Sequence, residues 1–305
     1  MKRIITKILI FCLPIILVGI SAEILLRNIP NDYEYKAKYL TNNSDEIKII
    51  VLGSSNTYYG VDPQYFTENS FNVAYISQSL YYDYKILKKY NGDWKSLEYI
   101  ILTVSSVTMC SNLEDTREAW RVKNYNIYWK FFSSSNMKDY FEIFSNNYKI
   151  NNKRLKSYYI DKHSNITSSK LGWGTEYKST IKNDLVEAGK VAALRHSANA
   201  DKSHFIANRE IVNDIINFAA YRNIKVVLLT TPVYHTYLEN IDKEQMQLTI
   251  NTCEQMDIAN ENVIYVNSLS DEDFVEKDFY DADHLNEIGA KKLSQKLDSI
   301  INNWK

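Results

Sequence analysis

Five short runs of β-branched and other apolar residues constrain the fold of this chain more than any other feature of its sequence. They lie at residues 47–52, 71–76, 99–104, 225–230 and 263–266. Patterns of helical period lie between or after most of these runs, at residues 78–90, 206–222, 243–256 and 287–304. Strands that alternate with helices are typical of a parallel sheet covered by helices on both faces, with functional groups at the carboxyl ends of the strands. We therefore predict one α/β domain over residues 47–305.

A second constraint is the apolar N-terminus. Lys2, Arg3 and Lys7 precede an uncharged, mostly apolar run over residues 8–22, which continues after Glu23 to Leu26. A transmembrane helix needs roughly 17–25 residues, and basic residues favour the cytoplasmic side. We predict a signal anchor over residues 1–29 and a juxtamembrane linker over 30–46. The alternative is a cleaved signal peptide, and both place residues 30–305 outside the cytoplasm.

Charge and cysteine content exclude several classes of protein. Among 305 residues, 36 Lys and Arg balance 37 Asp and Glu, which gives a formal net charge of -1. A nucleic-acid-binding protein normally carries a basic surplus, so we predict no nucleic-acid partner. Cys12, Cys110 and Cys253 form no C-x-x-C pair, which argues against a zinc site or a disulfide framework.

Residues 110–204 interrupt the alternation of strands and helices. The segment is rich in Tyr, Asn, Ser and Lys and contains aromatic clusters at residues 125–132 and 140–148. It is too long for a structureless loop in a compact domain. We predict an insertion of helices and loops near the strand ends.

The first candidate for chemistry is Gly53-Ser54-Ser55, directly after the first predicted strand. A serine hydroxyl becomes a nucleophile only with a partner base and an exposed position, and a sharp turn between a strand and a helix provides that exposure. The alternative is that these serines only cap a helix.

The second candidate is Asp281-Ala-Asp-His284, directly before the last predicted helix. In a turn or a helical start, Asp281 can accept the Nδ1–H of His284, and the other ring nitrogen is then free to act as a base. One alternative is that Asp281 or Asp283 caps the last helix while His284 is merely exposed. Metal ligation is another, but no further cluster with ligand spacing supports it, and we predict no metal.

Taken together, Gly53-Ser54-Ser55 and Asp281-x-x-His284 on a five-strand α/β pattern resemble the SGNH/GDSL hydrolase superfamily. The resemblance implies a flavodoxin-like three-layer α/β/α sandwich over residues 47–304. It also implies a catalytic triad in which Ser55 is the nucleophile, His284 the general base and Asp281 its orienting acid.

The sequence departs from the superfamily pattern at three positions. Ser54 stands where the usual Gly-Asp-Ser block has Asp, and Ser77 stands near the glycine of the second block. The Gly-x-Asn of the third block has no match, so Ser105 or Ser106 after the third strand becomes an oxyanion candidate beside Ser77.

The N-terminal anchor and these departures resemble the extracytoplasmic acyl-handling branch of the superfamily. Its members include the teichoic-acid D-alanyl-transfer protein and polysaccharide O-acetyltransferases, which work beside a membrane-bound O-acyltransferase. The resemblance implies that Ser55 takes an acyl group and passes it to a surface polysaccharide or teichoic acid, with no cofactor. The alternatives are a carbohydrate esterase such as a deacetylase, and a catalytically inactive scaffold for surface-polymer assembly.

Several other residues are candidates for substrate binding, either because cations lie among aromatic side chains or because the residues follow a strand end. They are Asn56, Gln78, Arg117, Trp120, Arg121, Tyr234 and His235. Lys123 adds a cation to the segment around Trp120, for which the alternative is an amphipathic helix with a solvated charged face. His163, His196 and His204 have no partner at a suitable spacing, and we predict that they lie at the surface.

Overall fold

The structure is a computed structural model that describes residues 2–199 and 201–304. The chain divides into two compact units. Unit 1 contains the N-terminal residues as far as Lys38 together with Ala119–Thr167, and unit 2 contains Tyr39–Glu118 together with the residues from Ser168 onward. Part of the segment predicted as an insertion, residues 119–167, therefore clusters with the N-terminal helix.

Unit 2 is built on a five-stranded parallel sheet. Its strands are β1 (Ile49–Leu52), β2 (Ser70–Asn72), β3 (Tyr99–Thr103), β4 (Lys225–Thr230) and β5 (Val263–Asn267). They pair in the order β2-β1-β3-β4-β5, and every neighbouring pair is parallel. This is the flavodoxin-like strand order, in which sites form at the carboxyl edge beside β1. The predicted fold class is confirmed.

Every predicted strand and helix of unit 2 is present. The α-helices of the described residues in both units, in chain order, are α1 (Lys2–Arg27), α2 (Asp32–Asn43), α3 (Ser55–Gly60), α4 (Leu80–Lys89), α5 (Ser106–Met109), α6 (Val122–Ile127), α7 (Glu142–Ser145), α8 (Tyr148–Leu155), α9 (Leu185–Asn199), α10 (Ser203–Ala220), α11 (His235–Asn240), α12 (Lys243–Ala259) and α13 (Glu287–Asn303).

Burial explains why the helical patterns could be read from the sequence. The last helix, α13, buries Ala290, Leu293, Leu297 and Ile301, which recur at intervals of three and four residues. This spacing places all four side chains on one face of the helix, against the core of unit 2. Strands β1 and β3 are buried along their whole length, as expected for central strands covered on both faces.

The segment between β5 and α13 forms the first of the two predicted conformations, a turn, and not a helical start. The turn at residues 282–283 joins the strands of a two-stranded antiparallel hairpin, β6 (Phe279–Asp281) and β7 (His284–Leu285). Phe279 and Leu285 both pack into the core, which draws the chain into and out of the turn in an extended conformation. The cap of α13 is Asn286, whose side-chain oxygen accepts the N–H groups of Ile288 and Gly289, so neither Asp281 nor Asp283 caps this helix.

Unit 1 contains the apolar helix α1. Residues Ile10–Arg27 of this helix form a stretch long and apolar enough to cross a membrane, and Leu26 is the one fully buried residue among them. The segment predicted as a juxtamembrane linker contains the helix α2.

Candidate active site

The turn after β1 brings Ser55 to the carboxyl edge of the sheet. Gly53 has a φ of +133°, and a Cβ atom at this position would lie 2.4 Å from Thr57 Oγ1 and 3.0 Å from Thr103 Cβ. Glycine is required here for both reasons, because a side chain would be strained as well as obstructed. Ser54 occupies the cap position of α3 without a side-chain capping bond, and Ser55 is the first residue of the helix.

The buried side chain of Asp83 accepts a hydrogen bond from the main chain of this turn. Asp83 Oδ1 accepts the Gly53 N–H at 3.0 Å and the Gln78 side-chain amide at 2.6 Å. Asp83 is fully buried, and within the described structure its Oδ2 has no hydrogen-bond partner. Burial raises the pKa of Asp83 to about 7, against the opposing effect of these two donors. Sequence reasoning missed this residue, although an acid on the apolar face of α4, three residues after Leu80, is a visible signal.

The hairpin β6–β7 carries the other two residues of the predicted triad. Asp281 Oδ1 accepts hydrogen bonds from the His284 N–H at 2.9 Å and from His284 Nδ1 at 2.8 Å. In the neutral imidazole, Nδ1 carries the proton that it donates to this carboxylate, and Nε2 is then the acceptor. The distance from His284 Nε2 to Ser55 Oγ is 2.8 Å, so the predicted serine, histidine and aspartate form one continuous chain of hydrogen bonds.

A hydrogen bond also links the two segments directly. The Asn56 side-chain amide donates to the Asp283 main-chain carbonyl at 2.6 Å. Asn56, predicted as a substrate-binding residue, therefore holds the loop before His284 against the turn that carries Ser55.

A second carboxylate lies beside the histidine. Asp283 Oδ1 is 3.7 Å from His284 Nδ1, and the Asp283 side chain is almost completely buried. Desolvation by burial raises the pKa of Asp283 to about 6. Burial alone would lower the pKa of His284, but the charges of Asp283 and Asp281 and the hydrogen bond to Asp281 outweigh it and raise that pKa to about 9. Hydrogen bonding and opposite charge together lower the pKa of Asp281, despite its own desolvation.

His196 differs from the prediction that it lies at the surface without a partner. Its Nδ1 is 2.8 Å from the Tyr237 hydroxyl and 4.0 Å from Asp283 Oδ2. Burial lowers the pKa of His196 to about 4, which keeps the imidazole neutral at pH 7. The packing of α9 against α11 produces this contact, and no local spacing in the sequence indicates it. His204 also has partners, Asn112 and Asp115, whereas His163 is exposed as predicted.

Two tyrosine rings lie next to His284, and a third stacks on one of them. Tyr59 and Tyr177 meet the His284 ring edge-on, with centroid distances of 6.0 and 5.4 Å. Tyr177 is stacked between Tyr59 and Tyr280, at 3.6 and 3.8 Å. No spacing along the chain groups these residues, because they come from α3, from residues 110–204 and from β6.

The three oxyanion candidates have different surroundings. Ser77 has a φ of +57°, a left-handed conformation that glycine adopts most easily, at the position where the resemblance places a glycine. Ser105 caps α5, and its N–H donates to Thr108 Oγ1 at 2.9 Å. Ser106 is the first residue of α5.

Two of the other binding candidates, Gln78 and Tyr234, are hydrogen-bonded to Asp83 and to the hairpin turn. The buried Gln78 amide is bonded to Asp83. The Tyr234 N–H donates to the Ala282 carbonyl in the hairpin turn. His235 is exposed and is 3.1 Å from Glu239 within α11.

The cationic and aromatic candidates are divided between the two units. Arg117 is exposed in unit 2. In unit 1, the exposed Trp120 ring lies 4.4 Å from the Arg121 guanidinium carbon, in a single 3-10 turn rather than an amphipathic α-helix. Lys123 is buried and paired with Glu142 at 2.5 Å, so it has no free charge to offer an anionic polymer.

The acid–base hairpin also contains a set of potential metal ligands. Single side-chain atoms of Asp281, Asp283 and His284 lie within 4.8 Å of one another. The carboxylate atoms that would bind a cation are the same ones that orient His284. The effect of a chelator on activity therefore distinguishes metal binding from orientation of the histidine.

Several solved structures are distantly similar to this chain. The sequence itself matches no protein-family model and no curated protein. The crystal structure of a proposed acylhydrolase from Bacteroides fragilis NCTC 9343 is 11% identical with a TM-score of 0.40, and the match covers 87% of this chain and 95% of that chain. The structure of a proposed platelet activating factor from Streptococcus pneumonia is 12% identical with a TM-score of 0.42, covering 96% and 98%. Similarity at this level leaves the activity to be inferred from the side chains of the site.

Proposed function

We propose that this protein catalyses acyl transfer through an acyl-Ser55 intermediate, from an acyl donor to a hydroxyl of a cell-surface polysaccharide or teichoic acid. One observation carries the proposal: Ser55 Oγ is 2.8 Å from His284 Nε2, whose other ring nitrogen is 2.8 Å from Asp281. A nucleophile, a base and an orienting acid at hydrogen-bond distance are what serine-dependent acyl chemistry requires.

The reaction follows from this geometry in two halves. His284 Nε2 takes the proton from Ser55 Oγ as the oxygen attacks the acyl carbonyl, and it then gives that proton to the oxygen of the departing alcohol. In the second half, His284 takes a proton from the acceptor hydroxyl, which attacks the acyl-serine ester, and returns the proton to Ser55. Asp281 holds the imidazole in the required tautomer and stabilises its cationic form. The Ser77 N–H is the proposed donor to the oxyanion.

The 2.8 Å distance also bears on the inactive scaffold considered above. A scaffold has no need to hold a serine hydroxyl at hydrogen-bond distance from a histidine, and separations beyond about 5 Å would be expected if this function were lost. The observed contact therefore favours an enzyme.

The tyrosine stack beside His284 favours a carbohydrate acceptor. An aromatic ring presents a flat apolar face on which the CH face of a sugar ring can pack. Tyr59 is buried and Tyr177 lies between two other rings, so the half-buried Tyr280 is the member of the stack that can offer such a face, one ring away from His284. The apolar helix α1 fits a membrane-anchored enzyme that meets its polymer outside the cell and receives its acyl group from a membrane-bound O-acyltransferase.

The test uses the full chain in detergent micelles with p-nitrophenyl acetate. Ser55→Ala and His284→Ala should each lower kcat/KM by about three orders of magnitude or more. The matched controls are Ser54→Ala, one residue before the nucleophile, and His163→Ala, an exposed histidine of unit 1, and both should keep wild-type activity. EDTA should leave turnover unchanged, because no step needs a metal. Full activity in Ser55→Ala would overturn the proposed nucleophile.

A second measurement separates a transferase from the esterase alternative. Purified teichoic acid or surface polysaccharide is added during turnover, and the acyl group is traced into polymer and into free acid. Transfer should exceed hydrolysis and should disappear in Ser55→Ala. Release of free acid alone, at a rate unaffected by the polymer, would instead identify an esterase.

A further inference from the structure

Unit 1 exposes a concentrated set of large apolar side chains outside α1. Five of them have between 63% and 70% of their surface accessible: Phe132, Met137, Phe144, Tyr148 and Ile160. They lie within 29 consecutive residues of unit 1.

The same stretch is strongly basic. Residues 130–162, hereafter the interfacial segment, contain seven Lys and Arg and three Asp and Glu, a net charge of +4, whereas the whole chain has -1. One of the three acids, Glu142, is fully buried and paired with both Lys123 and Arg154. The exposed part of the segment therefore presents apolar and basic side chains together.

The interfacial segment is bound to the C-terminal end of α1 by hydrogen bonds. The Arg27 guanidinium donates to the Tyr140 carbonyl at 2.6 Å, and the Tyr159 hydroxyl donates to the Leu25 carbonyl at 3.0 Å. These contacts fall in the last turn of the stretch that is apolar enough to cross a membrane, Ile10–Arg27.

Glu23 explains how an acid is accommodated at this end of the helix. Its carboxylate accepts the N–H groups of Glu142 and Ile143, at 3.1 and 2.9 Å, at the start of α7. Arg27 pairs with the same carboxylate at 2.5 Å. These N–H groups and the Arg27 guanidinium satisfy the charge of Glu23, which would be costly in hydrocarbon. The interfacial segment therefore supplies hydrogen bonds to α1 at the end of its apolar stretch.

We propose that the interfacial segment binds the surface of an anionic bilayer, with Phe144 and Ile160 inserted at the boundary between headgroups and acyl chains. Large apolar side chains such as Phe insert at this boundary in segments that lie on a membrane, and basic residues near an anionic surface contribute attraction that salt screens. The ion pairs of Glu142 with Lys123 and Arg154 stabilise the conformation of the interfacial segment. The proposal goes beyond acyl transfer and is independent of Ser55, but it requires α1 to lie in the bilayer.

The test places a fluorescent label in the full chain, reconstituted into vesicles of phosphatidylethanolamine and phosphatidylglycerol. Phe144→Cys and Ile160→Cys are made with Cys12→Ser, since Cys110 and Cys253 are buried, and each is labelled with NBD. Ile258→Cys is the matched control, because Ile258 is an exposed isoleucine of unit 2. Wild-type Cys12, labelled alone, reports whether α1 lies in the bilayer.

We expect the label at 144 and 160 to shift its emission to the blue and to be quenched by lipids with a shallow doxyl group, while the label at 258 does neither. Replacing phosphatidylglycerol with phosphatidylcholine should weaken the quenching. Emission at 144 and 160 that matches 258 would overturn the proposal, as would an unquenched label at Cys12. Cross-linking of 144 between copies without lipid quenching would also overturn it, in favour of self-association.

A second measurement avoids substitution altogether. The wild-type chain is irradiated in vesicles containing a phospholipid with a diazirine in its upper acyl chain, and the labelled peptides are identified by mass spectrometry. Labelling in residues 130–162 well above that around Ile258 supports the proposal. Labelling confined to α1 contradicts it.

Discussion

The turn after β1 and the hairpin β6–β7 supply the two halves of the site, and different forces shape them. The turn is fixed by steric fit and neutral donors: Gly53 has no room for a side chain, and Asp83 accepts bonds from a main-chain N–H and an amide. The hairpin is dominated by charge, because Asp281 and Asp283 both lie within 4 Å of His284 Nδ1. The turn therefore sets where the proposed nucleophile lies, and the hairpin sets the pH at which the proposed base can accept a proton.

This contrast makes a general prediction about substitutions. Changes in the turn should lower the rate or the stability without moving the pH dependence of the reaction. Changes in the hairpin should move the pH dependence, because kcat/KM reports the protonation of the free enzyme's base. The substitutions that follow test this contrast in order of decreasing effect.

Asp281→Asn should have the largest effect. Removal of the charge takes away the stabilisation of the His284 cation and the preference for the productive tautomer, so we expect kcat to fall by roughly 10³-fold. The measurement is turnover of p-nitrophenyl acetate across pH. The matched control is the same change at a neighbouring acid, Asp283→Asn. An equal fall of kcat in both variants would contradict the assignment of Asp281 as the orienting acid.

Gly53→Ala should come next. Its φ of +133° and the 2.4 Å approach to Thr57 Oγ1 force the turn to shift. We expect a destabilisation of about 1–3 kcal/mol and a clear loss of kcat, with the pH profile unchanged. Gly92→Ala is the control, since a Cβ atom there meets nothing within 4 Å. A displaced pH profile in Gly53→Ala would break the contrast between turn and hairpin.

Asp283→Asn should change the pH dependence more than the maximal rate. His284 acts as a base only when neutral, and negative charge holds its pKa at about 9, so wild-type kcat/KM should rise with pH through that value. Without the Asp283 charge the pKa of His284 falls and the rise moves to lower pH. Activity at pH 7 then increases by about tenfold for each unit by which this pKa falls. An unmoved profile would show that Asp283 does not act on His284 electrostatically.

Asp83→Asn should affect stability and leave activity nearly unchanged, since the amide oxygen can still accept the Gly53 N–H. The Asp83 pKa is about 7 in the folded chain, against 3.8 for an ordinary carboxyl, so the folded state binds this proton more tightly. Wild-type stability should therefore fall as the pH rises from about 4 to 7, by about 1.4 kcal/mol for each unit of pKa difference.

Asp83→Asn has no carboxyl group to titrate, so its free energy of unfolding should rise relative to that of the wild type over the same pH range. Urea unfolding of the full chain in micelles, at pH 5 and pH 8, measures the difference. The exposed Asp93→Asn is the control and should show no such gain. A constant difference between wild type and Asp83→Asn would contradict the burial argument.

The strands and the main helices of unit 2 could be predicted because their signals are local. A central parallel strand must be apolar on both faces, and a surface helix must be apolar on one, so β1 and α13 are visible in a short window of sequence. Ser55 and His284 became candidates because one comes after a predicted strand and the other before a predicted helix, and the resemblance to the SGNH/GDSL superfamily then implied their roles.

The surroundings of the triad could not be predicted, for reasons of distance along the chain. Asp83 lies 30 residues from the Gly53 N–H that it accepts, and Tyr177 lies more than 100 residues from both of the rings that it stacks upon. Lys123 looked like a solvated cation because its partner, Glu142, is 19 residues away. Such pairs have no fixed spacing, and only the packing of whole elements brings them together.

The sequence by itself determined the parallel α/β sheet and the apolar N-terminal helix, and it supplied the serine, aspartate and histidine candidates that its resemblance to the SGNH/GDSL superfamily grouped together. The sheet, the helix and the candidates depend on residue type, periodicity and proximity to strand and helix ends, all of which are local. Only the tertiary structure decided that Ser55 and His284, 229 residues apart, meet at 2.8 Å, and that Asp283 adds a second charge to the base. Hydrogen bonds and charge interactions act over a few ångströms of space, whereas sequence order constrains only neighbours along the chain.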